Sequence, residues 1–183
     1  MPAVWPFSVF ESWGVLPHER AASYPCDGLV DRPVVLFRAV AIDAPSPVVF
    51  RWICQLRVAP YSYDWVDNRG RRSPRQLTDG VDQLEVGLRF MTIFRLVSFE
   101  EGRSITVDSR TRLFGRVACT YRVIPVDVSR SRLVVKLLYS APMSVRGRLM
   151  GWMLPAGDLV MMRKQLLTLK TLAEHHFLRS AVA

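Results

Sequence analysis

The sequence predicts an α+β protein: a curved antiparallel sheet, short helices after its first strand, and a long C-terminal helix laid against one face. Three observations carry this expectation. Apolar and basic residues alternate with period two through several segments between 34 and 141. Between 158 and 177 apolar residues recur instead at helical spacing. Proline, glycine and acidic pairs punctuate the joins, as in Asp43-Ala-Pro-Ser-Pro47 and Glu100-Glu101-Gly102.

The elements follow in order. Residues 1–33, with Pro2, Pro6, Pro17, Pro25 and Pro33, read as an irregular N-terminal arm, and residues 34–180 as one domain. Val34 to Ile42 is extended and β-branched, with Arg38 outward and Val35, Phe37, Ala39 and Ala41 inward. Ser46 is a candidate N-cap and Pro47 a first helical residue, opening a helix to about Arg57 that turns Val49, Trp52, Ile53 and Leu56 to one face. A second short helical piece is expected from Pro60 on, carrying Tyr61, Tyr63 and Trp65, before a loop over 69–82.

Four more strands are expected, over 88–98, 103–109, 112–124 and 132–141. Arginines and a lysine mark their wet face. Leu88, Phe90, Thr92, Phe94 and Leu96 then point inward, with Ile105, Val107, Leu113, Val117, Cys119, Tyr121, Val123, Leu133, Val135, Leu137 and Tyr139. The pattern describes a sheet with a single covered face. Leu159, Met162, Leu166, Leu169 and Ala173 form the stripe of the covering helix, with Asp158 in its first turn where the helix dipole favours an acid. Val145 to Leu154 reads as a separate shorter helix, ended by Pro155.

This order of elements is that of the helix-grip fold. The segments FRWICQLRVAPYSYDWVDNRGRRSP, VGLRFMTIFRLVSFEEG and GDLVMMRKQLLTLKTLAE also resemble the START-related SRPBCC superfamily. They are most similar to a bacterial branch near its polyketide cyclase/dehydrase and lipid-transport group. The resemblance covers about residues 34–175, leaves the first 33 outside, and matches no catalytic motif. It implies a cavity between the sheet and the long helix.

Composition narrows the classes further. At 183 residues the chain can bury a full core without staples. The formal charge is +9, but all basic residues except Lys136, Lys164 and Lys170 are Arg, and their densest block is the loop Arg69, Arg71, Arg72, Arg75. That fits a GC-rich coding bias as well as a phosphate-binding face, so no nucleic-acid partner is expected. Cys26, Cys54 and Cys119 are too widely spaced for a disulfide framework or a metal knuckle. His175-His176 has no further ligand at suitable spacing, and no glycine-rich phosphate loop is present, so neither metal nor cofactor is expected. The N-terminus lacks the basic region of a signal peptide and no long uncharged run occurs, so a cytoplasmic protein is expected, without membrane contact. A homodimer using the N-terminal arm is left open.

The inward strand positions include no Asp, Glu, His, Lys or Arg. Their polar members are Thr92, Cys119, Tyr121 and Tyr139. Such a chamber suits an apolar ligand held by burial and oriented by phenols and a hydroxyl. The candidate ligand-binding residues are Trp52, Tyr61, Tyr63, Trp65, Phe90, Thr92, Phe94, Tyr121, Tyr139, Met162, Leu166 and Leu169, with no catalytic set. Asp64 and Asp67 are the nearest acids, and each is as readily a turn cap or a partner of Arg69, Arg71 or Arg72. Three functions stand: a carrier of a lipid, polyketide or isoprenoid-like molecule, a polyketide cyclase/dehydratase-type enzyme, and a regulatory member with a filled core. An ionisable group in the cavity favours the second, and a cavity too small for a ligand the third.

Overall fold

The computed structural model of the chain describes residues 11–63, 70–111, 115–140 and 145–182, with side chains of the last segment given for 157–180. Among these residues one sheet runs in the order β1-β2-β7-β6-β5-β4-β3. The strands are β1 Ser12–Trp13, β2 Pro33–Ile42, β3 Arg89–Phe90, β4 Phe94–Glu100, β5 Ser104–Thr111, β6 Gly115–Pro125 and β7 Ser131–Ser140. Every neighbouring pair is antiparallel except β1 with β2. The helices are α1 Pro17–Ala21, α2 Ser46–Cys54 and α3 Val145–Val182, and a 3-10 turn, Gln55–Arg57, continues α2. No helix among the described residues is long and apolar enough to cross a membrane.

The main core lies between one sheet face, α2 and α3, and it holds Trp52, Ile53, Leu56, Ile105, Val107, Tyr121, Leu133, Val135, Leu166 and Leu169. The alternation read from β5, β6 and β7 therefore points the right way, and the α3 stripe of Met162, Leu166, Leu169 and Ala173 is buried as expected.

β2 is the reverse of its expected orientation. Leu36 and Ile42 face the helix side, and Arg38 lies there too, 1% exposed. Phe37 and Ala39 face the other way, while Val35 and Ala41 are exposed. A charge reports solvent only when no buried counter-ion takes the place of water. Here the counter-ion is Asp158 on α3, at 2.8 Å.

The second sheet face is covered as well. Tyr24, Cys26 and Val30 of the N-terminal segment pack on Phe37, Ala39, Ala118, Val134 and Leu138, forming a smaller core where a wet face is expected. Thr106 and Thr120, on that face, are fully buried and hydrogen-bond each other at 2.9 Å, and the Cys26 N–H donates to the Thr120 hydroxyl. Gly14 permits the approach of β1 to β2: its φ is +72°, and a Cβ there would lie 2.2 Å from the Ala39 carbonyl oxygen.

Glu19 fastens this layer. Its carboxylate accepts the Leu16 N–H at 2.7 Å and pairs with the Arg132 guanidinium, which also donates to the Gly14 carbonyl at 2.8 Å. Burial raises the Glu19 pKa, but the bonds from Arg132 and Leu16 outweigh it and hold the group below its usual 4.5. The contribution is present above that value and lost as pH falls through the lower, folded one. Glu19→Ala should lower stability at pH 7 by about 3 kcal/mol. Denaturant midpoints for variant and wild type should converge as the solution is acidified.

The remaining differences are local. The expected strand 88–98 is two strands, interrupted by a tight turn at 91–93 in which Met91 and Thr92 take φ of 42° and 69°. Residues 60–63 are not helical, and Tyr61 has φ 57°. α3 is continuous through Pro155, so Asp158 sits within the helix rather than at its first turn. Trp65, Asp64 and Asp67 lie outside the described residues, as does Leu113.

Candidate functional site

A cavity of about 330 Å³ lies between α3 and the sheet. β2 contributes Leu36, β6 Val117, Cys119 and Tyr121, and β7 Leu137 and Tyr139. The β3–β4 turn adds Met91, Ile93 and Phe94, and α3 adds Asp158, Met161, Met162 and Gln165. The wall is overwhelmingly apolar and the volume falls in the range of small-ligand sites. Ile93 lines the space yet is 55% exposed, so this turn stands at the mouth.

Ser62 and Ser109 also line the cavity, and two larger polar groupings interrupt that wall. In the first, Tyr121 donates to the Gln165 side-chain oxygen at 2.7 Å, and the Gln165 amide donates onward to the Pro60 carbonyl at 2.6 Å. The sulfurs of Met91 and Met162 lie 3.6 and 3.8 Å from the same phenol. With no escape to water, burial pushes the Tyr121 hydroxyl well above the usual tyrosine value. Gln165 is 3% exposed and every step of the relay is satisfied, which fixes the angle of the ring toward the cavity.

The second grouping is Arg38, Asp158 and Tyr139. Arg38 donates to the Phe37 carbonyl at 2.8 Å and pairs with Asp158 Oδ2, also at 2.8 Å. Burial raises the Asp158 carboxyl to about 6 against the pull of Arg38. Desolvation likewise lowers Arg38, with Asp158 opposing it. Both shifts carry the same message: taking this pair out of water costs more than its attraction returns. The Tyr139 phenol is raised by burial first and then by the nearby Asp158 charge.

The inward positions thus do include ionisable groups, contrary to the expectation drawn from the strands. β2 supplies one by its inverted faces and α3 the other. Of the residues singled out from sequence, Phe94, Tyr121, Tyr139 and Met162 meet at the cavity. Trp52, Tyr61, Phe90, Leu166 and Leu169 point the same way but lie deeper, as packed core. Trp52 meets Tyr61 and His176 edge-on, at ring distances of 6.2 and 6.3 Å, and the Tyr61 hydroxyl donates to the Pro74 carbonyl. Tyr63 is 42% exposed. Thr92 is exposed and does not line the cavity, because the left-handed turn throws it outward. Cys119 lines the wall with its thiol pushed well above the ordinary range by burial, which leaves it protonated and unreactive.

This architecture has solved counterparts. The Zhui aromatase/cyclase from a Streptomyces species matches with a TM-score of 0.52 at 14% identity, over 78% of this chain and 94% of that one. This is the helix-grip fold. A second helix-grip structure, the di-domain ARO/CYC protein BexL, matches with a TM-score of 0.51 at 18% identity, over 76% of this chain. The chain spans 46% of the BexL chain. A START superfamily protein from Mycobacterium smegmatis superposes with a TM-score of 0.46 at 12% identity, over 80% of this chain and 98% of that one. No family model matches the chain, and no curated protein does. At such identities the likeness speaks for the helix-grip fold alone.

Proposed function

We propose that the protein binds, and in binding carries, a hydrophobic small molecule of the lipid, polyketide or isoprenoid kind. The observation that carries this reading is the 330 Å³ cavity walled by Leu36, Phe94, Val117, Leu137 and Met162, with few polar atoms placed to orient a guest. The flexible thioethers of Met91, Met161 and Met162 let one wall adapt to related shapes. Helix-grip neighbours named as aromatase/cyclase proteins are consistent with a small apolar guest.

Native mass spectrometry of the purified protein, followed by organic extraction, tests this reading. The expected result is one apolar passenger per chain, or, for protein purified empty, a rise in melting temperature with added neutral apolar compounds. Protein that is empty and unresponsive across such a panel would sink it.

A cyclase- or dehydratase-type reaction is the second reading, and Asp158 is what favours it. A carboxyl near pH 6 at the wall of an apolar chamber can take or give a proton close to neutrality. That role requires a pH–rate profile with a limb near 6 that disappears in Asp158→Asn.

A further inference from the structure

We propose that the polar end of the guest is a neutral hydroxyl, alcoholic or phenolic, that donates to Asp158, and that the cavity discriminates against carboxylates. The inference rests on the binding reading above and deepens it.

Arg38 offers nothing to the anionic head of an apolar chain. It pairs with Asp158, a residue of the cavity wall, and its guanidinium is committed to Asp158 Oδ2 and the Phe37 carbonyl. Among the described residues no Arg, Lys or His lines the cavity, so a fatty-acid headgroup entering there meets the Asp158 carboxylate, whose cation is already paired. Burying a third, unpaired charge beside the pair is costly.

Asp158 presents the complementary feature. Its Oδ2 is buried, while the side chain as a whole keeps 17% exposure and lines the cavity. The carboxyl oxygen that is not paired with Arg38 in that contact is an acceptor. A hydroxyl donating there makes a charge-assisted hydrogen bond in a water-poor setting. Tyr121 supports the same choice. Its proton is committed to Gln165, so its oxygen offers lone pairs and no further donor. Asp158 and Tyr121 thus both present acceptors to a donor at one end of an apolar body, beside the hydroxyls of Ser62, Ser109 and Tyr139.

Chain-matched probes provide the test: 1-decanol and decanoate at pH 8, each displacing the neutral fluorophore N-phenyl-1-naphthylamine. Decanol should bind at least tenfold more tightly than decanoate. In Asp158→Asn, where Arg38 has lost its counter-ion, the order should narrow or invert. If that variant fails to fold, the paired replacement Arg38→Leu with Asp158→Leu removes the acceptor and should weaken decanol binding about tenfold against wild type, while decanoate stays weak for want of a counter-charge. Decanoate binding the wild type as tightly as decanol would overturn the inference and leave the binding reading intact. Failure of the fluorophore and both chains to bind would overturn the two together.

Discussion

A Leu137→Trp variant should lose about a hundredfold in affinity for a neutral apolar fluorophore while keeping its fold. Leu137 lines the cavity from β7 and is half-buried, so the larger ring grows into open space rather than into packed neighbours. Denying a guest about 100 Å² of apolar contact removes about 2.5 kcal/mol, close to two decades of affinity. Fluorescence titration reads the loss, and an unchanged circular dichroism spectrum and melting midpoint certify the scaffold. Undiminished uptake would place the guest elsewhere. Thr92→Trp, which the strand alternation alone recommends, should have little effect, because Thr92 stands outside the cavity on a left-handed turn.

The largest change in stability is expected at the buried ion pair. Asp158→Ala strands Arg38, 1% exposed, without its counter-ion and should cost about 3–5 kcal/mol. Replacing both partners, Arg38→Leu with Asp158→Leu, should be neutral or stabilising, since desolvation shifts both groups toward their uncharged forms. Urea unfolding of wild type, single and double variants decides this, and equal losses in single and double variants would refute the account. The pH dependence has a definite sign. Asp158 titrates at about 6 when folded against an ordinary 3.8, so the folded state holds the proton more tightly. The stabilisation tied to that proton is complete below 3.8 and lost as pH rises through about 6. Between pH 4 and 7 wild type should therefore lose on the order of 2–3 kcal/mol relative to the double variant.

These expectations locate where sequence reasoning reaches and where it stops. Strands β5, β6 and β7 are legible because their outward charges, such as Arg116 and Arg122, leave an unbroken apolar series on the other side. β2 misleads because both of its faces are apolar, so Arg38 becomes the tie-breaker and points the wrong way. The turn at 91–93 is invisible to alternation, because Phe90 and Phe94 keep the same parity across the interruption and face each other in register. Alternation also gives direction without depth. Tyr121 and Trp52 both point inward, yet one touches the cavity and the other is core.

A signal for the missed pair does exist. Asp158 lies four residues before Met162, on the apolar stripe of α3. A carboxylate on such a stripe demands a buried counter-ion, and Arg38 is the lone cation in an otherwise apolar strand. Read together, the two anomalies explain each other. Read singly, each passes for a surface charge. The cover on the second sheet face leaves no comparable trace, since Tyr24, Cys26 and Val30 lie among prolines and turns without periodicity.

The placement of β2 has a consequence for how the chain is made. β2 pairs along its full length with β7, so the first long strand to be synthesised waits for the last. The contacts that seat the N-terminal segment reach as far, Cys26 to Thr120 across 94 positions and Glu19 to Arg132 across 113. A chain leaving the ribosome must therefore carry its opening residues and the apolar β2 without their partners until β7 has emerged. Such long-range closure makes folding slow and late rather than stepwise from the N-terminus. Until β7 is made, the apolar segment around Leu36 and Phe37 is left without its partner strand.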